Sequence, residues 1–148
     1  MSTTGLDVFD TTVQETNEWL RAIHDELGWG DRQLAYLALR GTLHAVRDHL
    51  TIDEGAQLAA QLPLLVRGIY YDGWDPSRVP VRERHREQFL ARVAEAFERV
   101  PPIDPEEIAR AVLRVLAARI SAGEAEDVRR MLPGALQDLW AAPAARRR

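Results

Sequence analysis

The chain contains no cysteine and no lysine, and its 148 residues include only three serines, at positions 2, 77 and 121. Without cysteine there is no disulfide, no thiolate metal site and no cysteine nucleophile. The serines stand in no G-x-S-x-G turn, and the sequence holds neither a glycine-rich phosphate loop nor an H-E-x-x-H pair. No stretch approaches the roughly 18 apolar residues that a membrane span needs. The opening residues, MSTTGLDVFD, are polar and acidic, unlike a secretory signal. Alternating β-branched runs and Asn-Gly turns are missing, so nothing signals strands. These absences lead to the expectation of an all-α cytoplasmic protein with no membrane association.

The missing lysine means that all 19 basic side chains are arginines, each a permanently charged planar fork. They are outnumbered, for the formal net charge is −4. Nucleic-acid binding normally needs a basic footprint, so no nucleic-acid partner is expected. Hydrophobic residues make up 46% and charged residues 28%, the mix of a globular chain long enough to bury a core without staples.

What is present is a helical period, and it occurs twice. Trp19, Leu20, Ile23 and Leu27 form a stripe with helix spacing, and Phe89, Leu90, Val93 and Phe97 repeat it 70 residues later. The same offset matches Leu43, Val46 and Leu50 with Leu113, Leu116 and Ile120, and Leu62-Pro63 with Leu132-Pro133. The pattern predicts a tandem duplication of a four-helix unit, packed as one compact, cooperative helical domain. Helices are expected over 12–28, 31–50, 52–61 and 63–71, then over 82–99, 104–120, 122–131 and 133–141. An N-terminal extension (1–11), a connector (72–81) and an Arg-rich tail (142–148) complete the chain. Asp31 and Asp104 are placed to cap helices, and Pro105 suits the first helical position. Thr51 with Glu54, and Ser121 with Glu124, read as capping boxes. Pro63 and Pro133 push the preceding leucine out of helix and restart the chain.

The stretch RGTLHAVRDHLTIDEGAQLAAQLPLLVRGIYYDGWDP, echoed by RAVLRVLAARISAGEAEDVRRMLPGALQDLW, resembles the bacterial domain of unknown function 2267 family. The resemblance runs from about residue 7 to residue 140, and the repeated Leu-Pro and the GWDP segment are its most specific marks. It implies an all-helical fold. It brings no catalytic residues with it.

The duplication also sorts residues. A type present in both copies serves the fold; one present in a single copy needs another explanation. Tyr70 aligns with Trp140 and is a core anchor. Tyr71 and Trp74 align with alanines, so they either plug the junction between units or wall a pocket there. His44, Asp48 and His49 stand close on one helix, but His44 and His49 align with Arg114 and Arg119. That favours basic character over chemistry, with His49 complementing the helix dipole. Zinc would need further ligands that no other His or Cys cluster supplies, so neither metal nor cofactor is expected. Arg40 and Arg110 recur in both copies and are expected to reach a helix C-terminus or a carboxylate in their own unit.

One segment breaks a rule. In SRVPVRERHREQF, Arg78, Arg82, Arg84, His85 and Arg86 crowd the start of a helix, where cations oppose the dipole. Either Asp72, Asp75, Glu83 and Glu87 neutralise them, or Arg82, Arg84 and Arg86 with His85 converge on an anionic partner. The leading expectation is a non-enzymatic interaction module that binds a protein partner, or itself, through residues 71–86. The alternative is a small-molecule binder with a pocket between the repeats near Tyr71 and Trp74. An enzyme using scattered carboxylates and His44 ranks last, with no catalytic residue to name.

Overall fold

The computed structural model describes residues 2–98 and 102–140, and among them every regular element is helical. Eight α-helices follow in order: α1 (Asp7–Leu27), α2 (Arg32–Asp48), α3 (Ile52–Ala59), α4 (Leu64–Tyr71), α5 (Arg86–Ala94), α6 (Pro105–Arg119), α7 (Ala122–Met131) and α8 (Gly134–Gln137). Short 3-10 turns lie at Pro76–Arg78, at Glu95–Phe97 and at Asp138–Trp140. The tail predicted over 142–148 lies outside the described residues.

Helix ends follow local chemistry in most places. Asp31 accepts the Leu34 N–H at 2.9 Å, and Asp104 accepts the Glu106 N–H at 3.0 Å ahead of Pro105. Gly28 ends α1 at φ 78°, a backbone that favours glycine, and its N–H reaches the His24 carbonyl at 2.8 Å. Pro63 and Pro133 precede α4 and α8.

Several boundaries and both capping boxes need correction; the last helix, predicted over 133–141, is α-helical only over Gly134–Gln137 and then tightens into a 3-10 turn. First, α1 starts at Asp7 rather than 12, with Asp7 and Asp10 in its first turn, where acidic groups suit the dipole. Second, the helix predicted from 82 starts only at Arg86. The Val81 N–H donates to the Asp48 carbonyl at 2.8 Å, which holds this part of the chain against the end of α2 and outside helix. Third, that helix tightens into a 3-10 turn after Ala94. Of each predicted capping box only half forms. Thr51 and Ser121 accept the N–H of Glu54 and Glu124 at 3.2 and 3.1 Å. The Glu54 carboxylate, however, accepts the Thr51 hydroxyl at 2.8 Å, and the Ser121 N–H goes to the Gln61 side chain at 2.9 Å. A side chain 60 positions away thus takes the donor that Glu124 was expected to satisfy.

The core is one cluster drawn from both halves, with Ile23, Leu39, Leu43, Val46, Leu58 and Tyr70 packed together with Phe89, Val93, Ile108, Leu113, Leu116 and Leu136. Helices of the first half pack on helices of the second: α1 on α6, α2 on α5 and α6, α3 on α7. One close approach is at Gly41. A Cβ there would lie 2.6 Å from the Val93 carbonyl oxygen of α5 and 3.1 Å from the Ala96 Cβ.

Candidate functional site

The last turns of α2 and the end of α4 are tied by a polar clamp. Arg40 pairs with Asp72 at 2.8 Å. His44 Nε2–H donates to the Ile69 carbonyl at 2.7 Å. The buried Arg47 donates to the carbonyls of Tyr70 and Asp72 at 2.7 and 2.8 Å, and to Asp48 at 2.9 Å. These bonds satisfy carbonyls that a helix end leaves free. Arg110 does similar work in the second half, donating to the Asp138 carbonyl at 2.9 Å. Burial foremost pushes His44 below its usual range, so it is neutral at pH 7.

Beside the clamp three aromatic rings run in series. Tyr70 is fully buried and its hydroxyl donates to the Gly55 carbonyl at 2.9 Å; burial pushes its pKa up. Tyr71 meets it edge-on at 5.0 Å, and Trp74 leans on Tyr71 at 5.1 Å. Tyr71 and Trp74 are both half-buried. They pack on each other, and neither lines the large groove described next.

From Asp72 the connector leads to α5. Asp75 accepts the backbone and hydroxyl donors of Ser77 and pairs with Arg78 at 3.3 Å. Glu83 grips Arg92 of α5 through two bonds, 2.8 and 3.0 Å long, and Arg92 also pairs with Asp48 at 3.3 Å. Arg92 holds the Glu83 carboxyl below its usual range.

Residues 77–84 form one wall of a groove of about 1170 Å³. Residues 130–134 with Gln137 also line it, and His49, Thr51 and Arg92 complete the lining. Five arginines line it, at positions 78, 82, 84, 92 and 130. Three of these have partners: Asp75 for Arg78, Glu83 and Asp48 for Arg92, and Glu126 for Arg130 at 3.1 Å. Arg82 and Arg84 are exposed and make no ion pair with the described residues. Local neutralisation therefore covers Arg78 and leaves Arg82 and Arg84 out.

Arg86 departs from the expected convergence. It is not part of the groove lining, pairing with Glu106 at 3.3 Å and with Asp138, and joins Arg110 in a network across α5, α6 and the turn after α8. Those carboxylates offset the cost of a cation at a helix N-terminus. His85 is the exposed N-cap residue of α5, its N–H bound by the Gln88 side chain at 3.2 Å, and does not line the groove.

His49 differs most from expectation. It ends α2 as predicted, yet it is buried, and burial foremost pushes its pKa down, so it carries no charge at pH 7 to complement the dipole. Its Nδ1–H donates to the Ala45 carbonyl at 2.7 Å, its ring leans on Phe89 at 5.5 Å, and its buried Nε2 has no partner among the described residues. His49, Arg92 and Arg130 come to the groove from α2, α5 and α7, and no local motif in the sequence marks them as neighbours.

Among the described residues, no group of three or more His, Asp or Glu side chains is placed to hold a metal ion, and no helix is long and apolar enough to cross a membrane. No curated protein matches the chain. The model of the family described as "Uncharacterized conserved protein (DUF2267)" matches residues 16–139, from the third turn of α1 to the turn after α8, and the chain belongs to that family.

Proposed function

We propose that this chain is a non-enzymatic cytoplasmic interaction module, built from two copies of one four-helix unit, whose contact surface is the connector and the groove behind it. The duplication is supported by recurring details at an offset of 70 residues: Pro63 and Pro133 before the last helix, Thr51 and Ser121 as caps, Arg40 and Arg110 bound to the end of their own half. The observation that carries the functional reading is the pair Arg82 and Arg84. Nearly every other arginine near them is held by a carboxylate of the same chain, whereas these two stand exposed in the groove lining and unpaired among the described residues. Charges left unpaired at a concave surface serve a partner better than they serve the fold. The partner is a protein or a second copy of the chain. The small-molecule reading near Tyr71 and Trp74 has less behind it, because those rings are spent on each other and on Tyr70.

The test is site-specific photo-crosslinking in cells from a probe at position 84, with a probe at Gln14 on the exposed face of α1 as control. One defined protein, linked from position 84 through a single mapped segment and absent from the control, supports the module. Equal, scattered products from both positions defeat it.

A further inference from the structure

We infer that the groove takes an extended acidic segment of the partner, which brings carboxylates to Arg82 and Arg84 and a backbone N–H to complete His49. This rests on the interaction-module reading and names the chemistry of the partner.

The argument begins with sign. The chain is acidic as a whole, at −4, yet the groove lining carries five arginines against Glu83. Asp75, Asp48 and Glu126 stand behind three of those arginines and lock them in place. Two forks remain, and arginine forks match carboxylate geometry through paired bonds.

The second observation is independent of charge. His49 belongs to the groove lining and is 6% exposed, and its Nε2 is a buried acceptor without a donor among the described residues. Its tautomer is set, because Nδ1–H is committed to the Ala45 carbonyl. A buried polar group without a partner is uncommon in a finished structure and points to something that completes it. Nε2 is buried behind the lining, so completion requires the lining to shift on docking.

These two needs discriminate between occupants. A phosphate monoester dianion offers acceptors only, so it satisfies the arginines and leaves Nε2 bare. A polypeptide segment offers backbone N–H donors, and an acidic one adds the carboxylates. Size points the same way, since about 1170 Å³ exceeds the roughly 300–1,000 Å³ usual for small-molecule sites. Val79, Val81 and Met131 give the walls apolar surface against which intervening side chains can pack.

The experiment uses the purified full chain and fluorescence anisotropy with a labelled Glu-rich peptide, its Gln-substituted counterpart, and phenyl phosphate, a phosphate monoester, as competitor. The Glu-rich peptide is expected to bind, to weaken as salt rises past the range where exposed charges are screened, and to lose about tenfold affinity in Arg82→Gln/Arg84→Gln. Both positions are exposed, so that variant keeps its fold. The Gln peptide is expected not to saturate, and Arg119→Gln, a control at an exposed site off the groove, to bind as the parent does. His49→Phe is expected to weaken the peptide and leave phosphate competition unchanged; if it does not fold, the double arginine variant decides alone. Equal binding of the two peptides, or parent-like affinity in the double variant, overturns the inference. So does phenyl phosphate that displaces the peptide at comparable concentration, which makes this a small-anion site. A partner cross-linked at position 84 through a non-acidic segment overturns the inference and leaves the module standing. Peptide binding that depends on the arginines, with no partner found in cells, does the reverse.

Discussion

Replacing Gly41 by alanine sets two effects of similar size against each other. Alanine is the better helix former by about 1 kcal/mol in a helix interior, and Gly41 lies well inside α2. Against this, the new Cβ would stand 2.6 Å from the Val93 carbonyl oxygen, where even a close C–H···O contact keeps about 3.3 Å. The obstacle is backbone, and the next atom, the Ala96 Cβ at 3.1 Å, belongs to a side chain that cannot rotate away. So α2 and α5 must separate by several tenths of an ångström, loosening Phe89, Val93 and Phe97 in the core they share. Overpacking of this kind costs about 1–3 kcal/mol, and a rigid helix pair puts this case at the upper end. The net expectation for Gly41→Ala is a loss of about 1–2 kcal/mol, or roughly 3–8 °C in Tm for a chain of this size. Gly68 is the control. It lies in α4, its φ is not positive, and a Cβ there meets nothing within 4 Å. Gly68→Ala should therefore stabilise by about 0.4–1 kcal/mol. Urea denaturation of the three proteins, followed by circular dichroism, reads both signs. If Gly41→Ala is as stable as the parent, or if both substitutions shift the midpoint the same way, the close approach of α2 and α5 is not what requires glycine.

Other perturbations follow from the same structure. Glu124 lacks the backbone bond of a capping box, and burial, then Asp127 and Glu54, raise its pKa. Glu124→Gln should thus cost less than the roughly 0.5–2 kcal/mol of a lost cap, and the parent should lose a little stability as pH rises through the raised pKa; a full cap-sized loss by denaturant titration refutes this. His44 and His49 both have lowered pKa values, so in mild acid the unfolded chain binds protons that the folded chain refuses. Their stabilisation is complete above about pH 6.5 and falls on acidification toward the folded pKa, by on the order of 1.4 kcal/mol per pH unit for each group; flat stability between pH 7 and 5 contradicts it. Trp74 is only half-buried, so Trp74→Ala should cost less than the roughly 3–5 kcal/mol of a buried aromatic, while Tyr70→Ala should cost the full amount. Equal losses in chemical denaturation would mean that Trp74 is as much a part of the core as Tyr70.

Much of the fold was legible in the sequence because it depends on neighbours along the chain. A 3.6-residue period marks which face a helix buries, as at Ile23, Leu43, Leu113 and Leu116. A cap needs a side chain within three positions of the N–H it accepts, so Asp31, Thr51, Asp104 and Ser121 could be named from spacing. Proline restricts its own φ and the residue before it, which places Pro63 and Pro133 ahead of their helices. Where a distant group competes, that reasoning stops. Gln61 takes the Ser121 N–H from Glu124, and the Asp48 carbonyl takes Val81 out of helix. Carboxylates on α6 and in the turn after α8 draw Arg86 away from Arg82 and Arg84. The groove is the extreme case, because its walls come from segments about 50 residues apart and its buried histidine from a third. Hydrogen bonding and charge act through space at about 3 Å, so which partner an arginine or an N–H finds is decided by packing, and only the folded chain brings those candidates within reach.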